Sequence, residues 1–243
     1  MNTNTLKIVG LFAFILFMLT ACSTRIVRGS GNLISDTRTI SNFDRINLNG
    51  SGKVIIIQGE EESLLVETDD NIMEYVTTEI HGGTLELDFD FTRVMTIDPT
   101  QITFTLHVKD LAGLNVSGSG DMIAQSIETD SLDVDVSGSG SVRIDSCTAG
   151  EVTVKINGSG QVEMAGEATR QTIDISGSGK YIADNLYSDT TNVNLDGSGT
   201  VTIWVAESLD AELNGSGSVS YYGTPTVNST ESGSGSLISL GEK

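Results

Sequence analysis

Basic side chains are scarce in this chain: 13 Lys plus Arg stand against 33 Asp plus Glu in 243 residues, a formal net charge of −20. Nucleic-acid binders need basic stripes to displace counterions from phosphates, so nucleic acid is excluded as a partner. An acidic polysaccharide is disfavoured as well, unless metal ions mediate. Histidine is nearly absent, and no metal-ligand spacing relates His81 to His107. Neither a metal nor any other cofactor is expected. Two prolines and 5% aromatics beside 27 glycines fit neither collagen, a linker nor an acidic disordered tail. They fit many short strands joined by tight turns.

The chain opens on an address. Lys7 precedes an unbroken apolar run from Ile8 to Leu19, which is too short to cross a bilayer comfortably, where about 20 residues are needed. Residues 1–21 therefore read as a signal peptide. Leu19-Thr20-Ala21-Cys22 resembles a bacterial lipobox, which implies cleavage before Cys22 and lipid on its sulfur and amine. Two or three acyl chains, at about 0.8 kcal/mol per buried CH₂, hold a protein to a membrane without a transmembrane helix. Loss of Lys7 takes the formal net charge from −20 to −21. Ser23, rather than Asp, follows the cysteine, and this resembles Gram-negative lipoproteins sorted to the outer membrane. Cys147 is then left alone, and reads as a small apolar filler at a turn rather than a reactive thiol or an intermolecular bridge.

The dominant signal is Gly-Ser-Gly, beginning at Gly29, Gly50, Gly118, Gly138, Gly158, Gly177, Gly197, Gly215 and Gly233. From Gly118 the steps are 20, 20, 19, 20, 18 and 18 residues, an architecture and not a flexible linker. With the first glycine as position zero, position +4 is apolar or aromatic in all nine copies, from Leu33 and Val54 to Val219 and Leu237. Position −2 is apolar in eight copies, Val27 to Leu213, and only Glu231 breaks the rule. Position −3 is polar in eight. This alternation with period two marks strands with one buried face on either side of each turn. An antiparallel meander with hairpin loops and a parallel β-solenoid, with equivalent residues about 4.8 Å apart, both fit the pattern. The calcium-binding nine-residue roll does not, because only Gly120-Asp121 places an Asp after a turn among the late copies.

A lipobox, the segment Ile40 to Gly59 (ISNFDRINLNGSGKVIIIQG) and the serial Gly-Ser-Gly turns together resemble the putative auto-transporter adhesin, head GIN domain family, a domain of unknown function common in Bacteroidetes. The resemblance covers the chain from about residue 40 and implies an all-β, single-stranded right-handed parallel β-helix with coils of about 20 residues. The expected organisation is a signal peptide over 1–21, lipidated Cys22 with a tether over 22–39, and one β-helix domain over 40–243, irregular over 40–112 and regular over 113–243. Within the irregular part, 54–57, 63–67, 84–91 and 102–108 read as strands, and Asp70 to Ile80 as a short helix capped by Asp70. Glu231 and Ser229 make the last coil a polar cap or an oligomer contact.

Catalysis finds little support. Gly-Ser-Gly lacks the strand-to-helix context of a nucleophile elbow, and no helix N-terminus follows it to hold phosphate. Acid pairs on neighbouring coils, such as Asp133 and Asp135 against Glu151 and Lys155, are the reason to keep a glycan-acting hydrolase as the alternative. Repeat phase offers a different candidate. Position +7 faces outward and holds Trp204 in one coil and Tyr222 in the next, so the rings would lie about 4.8 Å apart as a ligand or glycan platform, or as an aromatic stack covering an edge or an oligomer contact. Tyr181 and Tyr221 are expected inward. The reading is a lipid-anchored adhesin or scaffold of the outer membrane with no catalytic site. Its expected partners are the membrane, a glycan or cell-surface protein, and a second copy through the terminal coil.

Overall fold

Backbone hydrogen bonds decide between meander and solenoid. The structure is a computed structural model that describes residues 26–92 and 94–243, so the expected signal peptide and lipidated Cys22 lie outside the described residues. In it, Ser119, Ser139, Ser159, Ser178, Ser198, Ser216 and Ser234 each donate their N–H to the first-glycine carbonyl of the preceding turn, at 2.8–2.9 Å. The residue after each second glycine donates likewise to the preceding second glycine, from Asp121 to Ser236, at 2.8–3.1 Å. Eight turns, from Gly50 to Gly233, thus form one ladder. The strands between them run parallel and in register, Val134 beside Val154, Val136 beside Ile156 and Gly138 beside Gly158. The chain is a parallel β-solenoid.

The strands in chain order are β1 (Ile26–Arg28), β2 (Leu33–Arg38), β3 (Arg45–Gly50), β4 (Lys53–Gln58), β5 (Ser63–Asp69), β6 (Val76–His81), β7 (Thr84–Phe89), β8 (Thr96–Asp98) and β9 (Ile102–Val108). The regular windings follow as β10 (Gly113–Gly118), β11 (Asp121–Ala124), β12 (Ile127–Gly138), β13 (Ser141–Gly158), β14 (Gln161–Gly177), β15 (Lys180–Gly197) and β16 (Thr200–Gly215). The last are β17 (Ser218–Tyr222), β18 (Thr226–Gly233) and β19 (Ser236–Gly241). Each regular winding presents three faces: one before the glycine turn, one after it, and a third that returns the chain, where Ile127, Cys147 and Gly166 stack.

Both glycines of each turn are required by the stacking. At Gly158, φ is +121° and a Cβ would stand 2.6 Å from the Gly138 carbonyl oxygen. At Gly160 a Cβ would meet Val136 Cγ1 at 2.5 Å, so the second glycine leaves room for the position −2 side chain one winding back. Inside, Leu48, Val116, Val136, Ile156, Ile175, Leu195 and Leu213 form one buried column, and Val54, Met122, Val142, Val162, Tyr181, Val201 and Val219 another. Each such side chain contributes about 1.5–3 kcal/mol by leaving water. Cys147 is buried in this core within the continuous strand β13 and not at a turn, and burial pushes its thiol up to about 11.

The two ends differ. After β4 the chain leaves the stack and returns at β10, which lies directly beside β3. The intervening strands cover the exposed end: β7 and β9 extend β3 and β4 in parallel, then β6 pairs antiparallel with β7, β5 with β9 and β2 with β5. Antiparallel strands laid over a parallel edge remove much of its capacity to template another chain. At the other end, β18 pairs with β16 and β19 with β17, and the outward edge of both is open among the described residues.

Three further expectations need correction. The helix expected from Asp70 to Ile80 is a single 3-10 turn at Met73–Tyr75 followed by β6, because β7 offers that segment an antiparallel partner. Residues 26–38, expected as tether, are built into the fold as β1, paired with β8, and β2. The Gly29 copy is not a turn of the ladder, and Leu33 at its position +4 is 48% exposed. Instead it is gripped by Asp69-Asp70-Asn71: Asp69 takes the Gly31 N–H (2.7 Å), Asp70 the Ser30 hydroxyl (2.5 Å) and Asn32 amide (2.9 Å), and Asn71 the Ser30 N–H (2.9 Å). The buried Asp69 carboxylate also accepts Thr100 N–H (2.8 Å) and hydroxyl (2.7 Å). Burial raises its pKa, but these hydrogen bonds outweigh it and hold the carboxyl below the usual carboxylate range.

Candidate functional site

On the third face, Trp204 and Tyr222 are register partners on β16 and β17, vertical neighbours on adjacent windings. Phase counting missed a third ring. Tyr187 pairs with Trp204 on the other side, its ring edge-to-face with the indole at a centroid distance of 5.2 Å and 84°. Counting position +7 in the Gly177 copy gives Asp184, whereas Tyr187 stands three residues later. The register jumps from Ala183–Ile203 to Tyr187–Trp204, so Asp184, Asn185 and Leu186 bulge out of the β15–β16 ladder. The bulge was foreshadowed only by the shortening of the repeat from 20 to 18 residues after Gly197. Bulges re-aim side chains in this way.

The bulge turns Leu186 into the core and leaves Asp184 and Asn185 at the surface beside the rings. Lys243 reaches back to this point. Its Nζ lies 5.4 Å from the Trp204 ring centroid and 5.2 Å from that of Tyr222. It donates to the Asp184 carbonyl oxygen and to Asn185 Oδ1 (2.9 Å), and stands 3.5 Å from the Asp184 carboxylate. Behind the rings the interior is polar: Ser188 Oγ donates to the Trp204 carbonyl (3.1 Å) and is 2.9 Å from Thr191 Oγ1. Burial, then the neighbouring Asp189 and Glu207 carboxylates, hold the Tyr187 phenol above its ordinary value. Tyr181 is fully buried and its hydroxyl donates to Gln171 Oε1 (2.7 Å), while Tyr221 is partly buried against the core.

The acid pairs lie elsewhere, on the face before the turns. Asp133, Asp135 and Lys155 line a shallow depression of about 440 Å³ with Arg45 and Glu86. Arg45 pairs with Asp133 at 2.9 Å, Asp135 stands beside Lys155 in register, and Glu151 lies beside Ser131, two positions further back. Glu86 accepts the amides of Asn47 (2.5 Å) and Asn49 (3.3 Å). The register interleaves these acids with cations and amides instead of converging two carboxyls on a cleft. His81 is exposed beside Glu79 at 2.9 Å, and among the described residues no three His, Cys, Asp or Glu side chains cluster as metal ligands. No helix of the described residues is long and apolar enough to cross a membrane.

With this geometry in hand, likeness to known proteins can be placed. A family model described as "Putative auto-transporter adhesin, head GIN domain" matches residues 42–225. A "putative adhesin" of Bacteroides fragilis NCTC 9343 has the same fold, with a TM-score of 0.83 and 26% identity over 88% of this chain and 100% of that one. A "putative lipid binding protein" of Parabacteroides distasonis ATCC 8503 (TM-score 0.74, 23% identity, 89% and 100% covered) shares the fold. So does a "putative adhesin" of Parabacteroides merdae ATCC 43184 (0.72, 22%, 88% and 99%). No curated protein matches the chain.

Proposed function

The chain belongs to the putative auto-transporter adhesin, head GIN domain family, and from that premise we propose that it is a non-catalytic binding module held at the cell envelope. The anchor in this reading is lipid on Cys22 in the outer membrane of a Gram-negative bacterium, supported by Leu19-Thr20-Ala21-Cys22 and Ser23. Three residues separate Cys22 from Ile26 of β1, so about 13 Å of extended chain, four Cα steps, holds the capped end of the solenoid near the bilayer.

One observation carries the binding role: a column of three aromatic rings, Tyr187, Trp204 and Tyr222, on a face re-aimed by a bulge. Tyr and Trp bring large, stiff contact area at low entropic cost, which suits a glycan or a cell-surface protein. The hydrolase alternative draws less support, since Asp133 is engaged by Arg45 and Asp135 is flanked by Lys155. The open edge of β18 and β19 supports a second copy as a further partner.

The test uses full-length protein in detergent micelles, on a glycan array and in cell-wall pull-downs. Trp204→Ala combined with Tyr222→Ala is expected to weaken capture at least about tenfold while circular dichroism keeps the β signature. Undiminished capture by that variant overturns the platform. Cys22→Ser is expected to leave the membrane fraction, and its retention there sinks the anchor.

A further inference from the structure

We propose that the Trp204–Tyr222 face is a seat for a primary ammonium, the side chain of a lysine on a basic partner polypeptide, and that Lys243 fills it as an internal ligand. The proposal deepens the binding-face reading above and rests on it. An ammonium carries three N–H donors and no acceptor. The surroundings of Lys243 Nζ match that count: the Asp184 carbonyl, Asn185 Oδ1 and, at 3.5 Å, the Asp184 carboxylate. Both rings flank the charge, at 5.4 Å for Trp204 and 5.2 Å for Tyr222, within the range where the ring quadrupole attracts a cation. Every acceptor comes from the bulge in β15 and both rings from the next two windings, so the seat exists only where the register slips.

A lysyl group suits this seat better than a guanidinium. Three acceptors around a point favour a compact charge, whereas arginine's planar fork seeks paired oxygens in one plane. Asp189 and Glu207 beside Tyr187 add negative potential, and the net charge of −20 steers cationic partners toward the molecule. Lys243 also makes the site self-gated. Held in the same chain, it competes at an effective concentration on the order of millimolar, so an outside lysine gains entry only when the Gly241–Lys243 tail lifts.

Trp204 is the only tryptophan of the chain, so its fluorescence reports on this site alone. In full-length protein in micelles, Lys243→Ala is expected to shift the Trp204 emission. Titration with a capped Gly-Lys-Gly peptide should then saturate, with a Kd at least about tenfold lower than for the unaltered chain. The matching Nε-acetyl-lysine peptide, which lacks the charge, should bind at least about tenfold more weakly. No saturable response in Lys243→Ala, or an equal response to the acetylated peptide, overturns the proposal. So does saturation by glucosamine oligomers but not by the lysyl peptide. Cell-wall capture by the same variant separates the two readings. Capture with a silent lysyl titration removes only the ammonium seat, and loss of both removes the binding face as well.

Discussion

Gly158 and Gly50 occupy the same place in the same tripeptide, yet alanine at the two positions should have different consequences. Both have positive φ, +121° and +100°, so alanine incurs backbone strain of about 1–3 kcal/mol at either site. At Gly50 the new Cβ meets nothing within 4 Å, because no glycine turn precedes it in the ladder. At Gly158 it lands 2.6 Å from the Gly138 carbonyl oxygen, the same atom that accepts the Ser159 N–H at 2.8 Å. That oxygen cannot retreat without releasing its hydrogen bond, worth about 1 kcal/mol, and overpacking adds about 1–3 kcal/mol. Gly50→Ala is therefore expected to cost about 1–3 kcal/mol, and Gly158→Ala about 3–7 kcal/mol. Urea unfolding followed by circular dichroism measures both. Equal losses, or a larger loss for Gly50→Ala, would refute the claim that the turns hold one another through direct backbone contact.

Other outcomes follow from the clasp, the buried thiol and the open end. Asp69→Asn should lower the urea midpoint at pH 7; because the native carboxyl titrates below its unfolded value of 3.8, its contribution is full above about pH 4 and fades as pH falls further, so wild type and variant should converge in acid. Cys147 should resist alkylation at pH 8 until urea unfolds the chain, and since its thiol is raised from 9.0 to about 11, stability should fall as pH rises across that window, by up to about 1.4 kcal/mol per unit. Prompt labelling of folded protein would contradict its burial. Ile238, 44% exposed on β19, is the place to block end-to-end contact: the unaltered chain should shift to larger species with concentration in size-exclusion chromatography, and Ile238→Lys should remain monomeric.

The regular windings were legible because each position answers to one physical demand. Apolar residues at −2 and +4 fill two interior columns, glycines at 0 and +2 face the winding before, and nothing in those segments pulls the other way. The Gly29 copy misled because a tripeptide carries no record of what it will face; its partners Asp69, Asp70 and Asn71 lie about 40 residues further along the chain. The segment after Asp70 has a helical spacing of apolar residues, but Val76, Thr77 and Thr78 are β-branched, and a free edge on β7 outweighed the spacing. In the aromatic column, Trp204 and Tyr222 share a phase and were found together, whereas Tyr187 was displaced by three residues that only the register reveals.

The detour between β4 and β10 closes one end of the molecule before the regular windings begin. Duplication or deletion of a segment of about 20 codons in the middle of the gene would therefore change the rod's length without rebuilding either terminus, since each added loop brings its own rungs. Every such insertion upstream of Gly177 would carry the tryptophan about 4.8 Å farther from the closed end while leaving its neighbours untouched. Reach and recognition can thus vary independently, as in a boom whose sections are added behind a fixed tool.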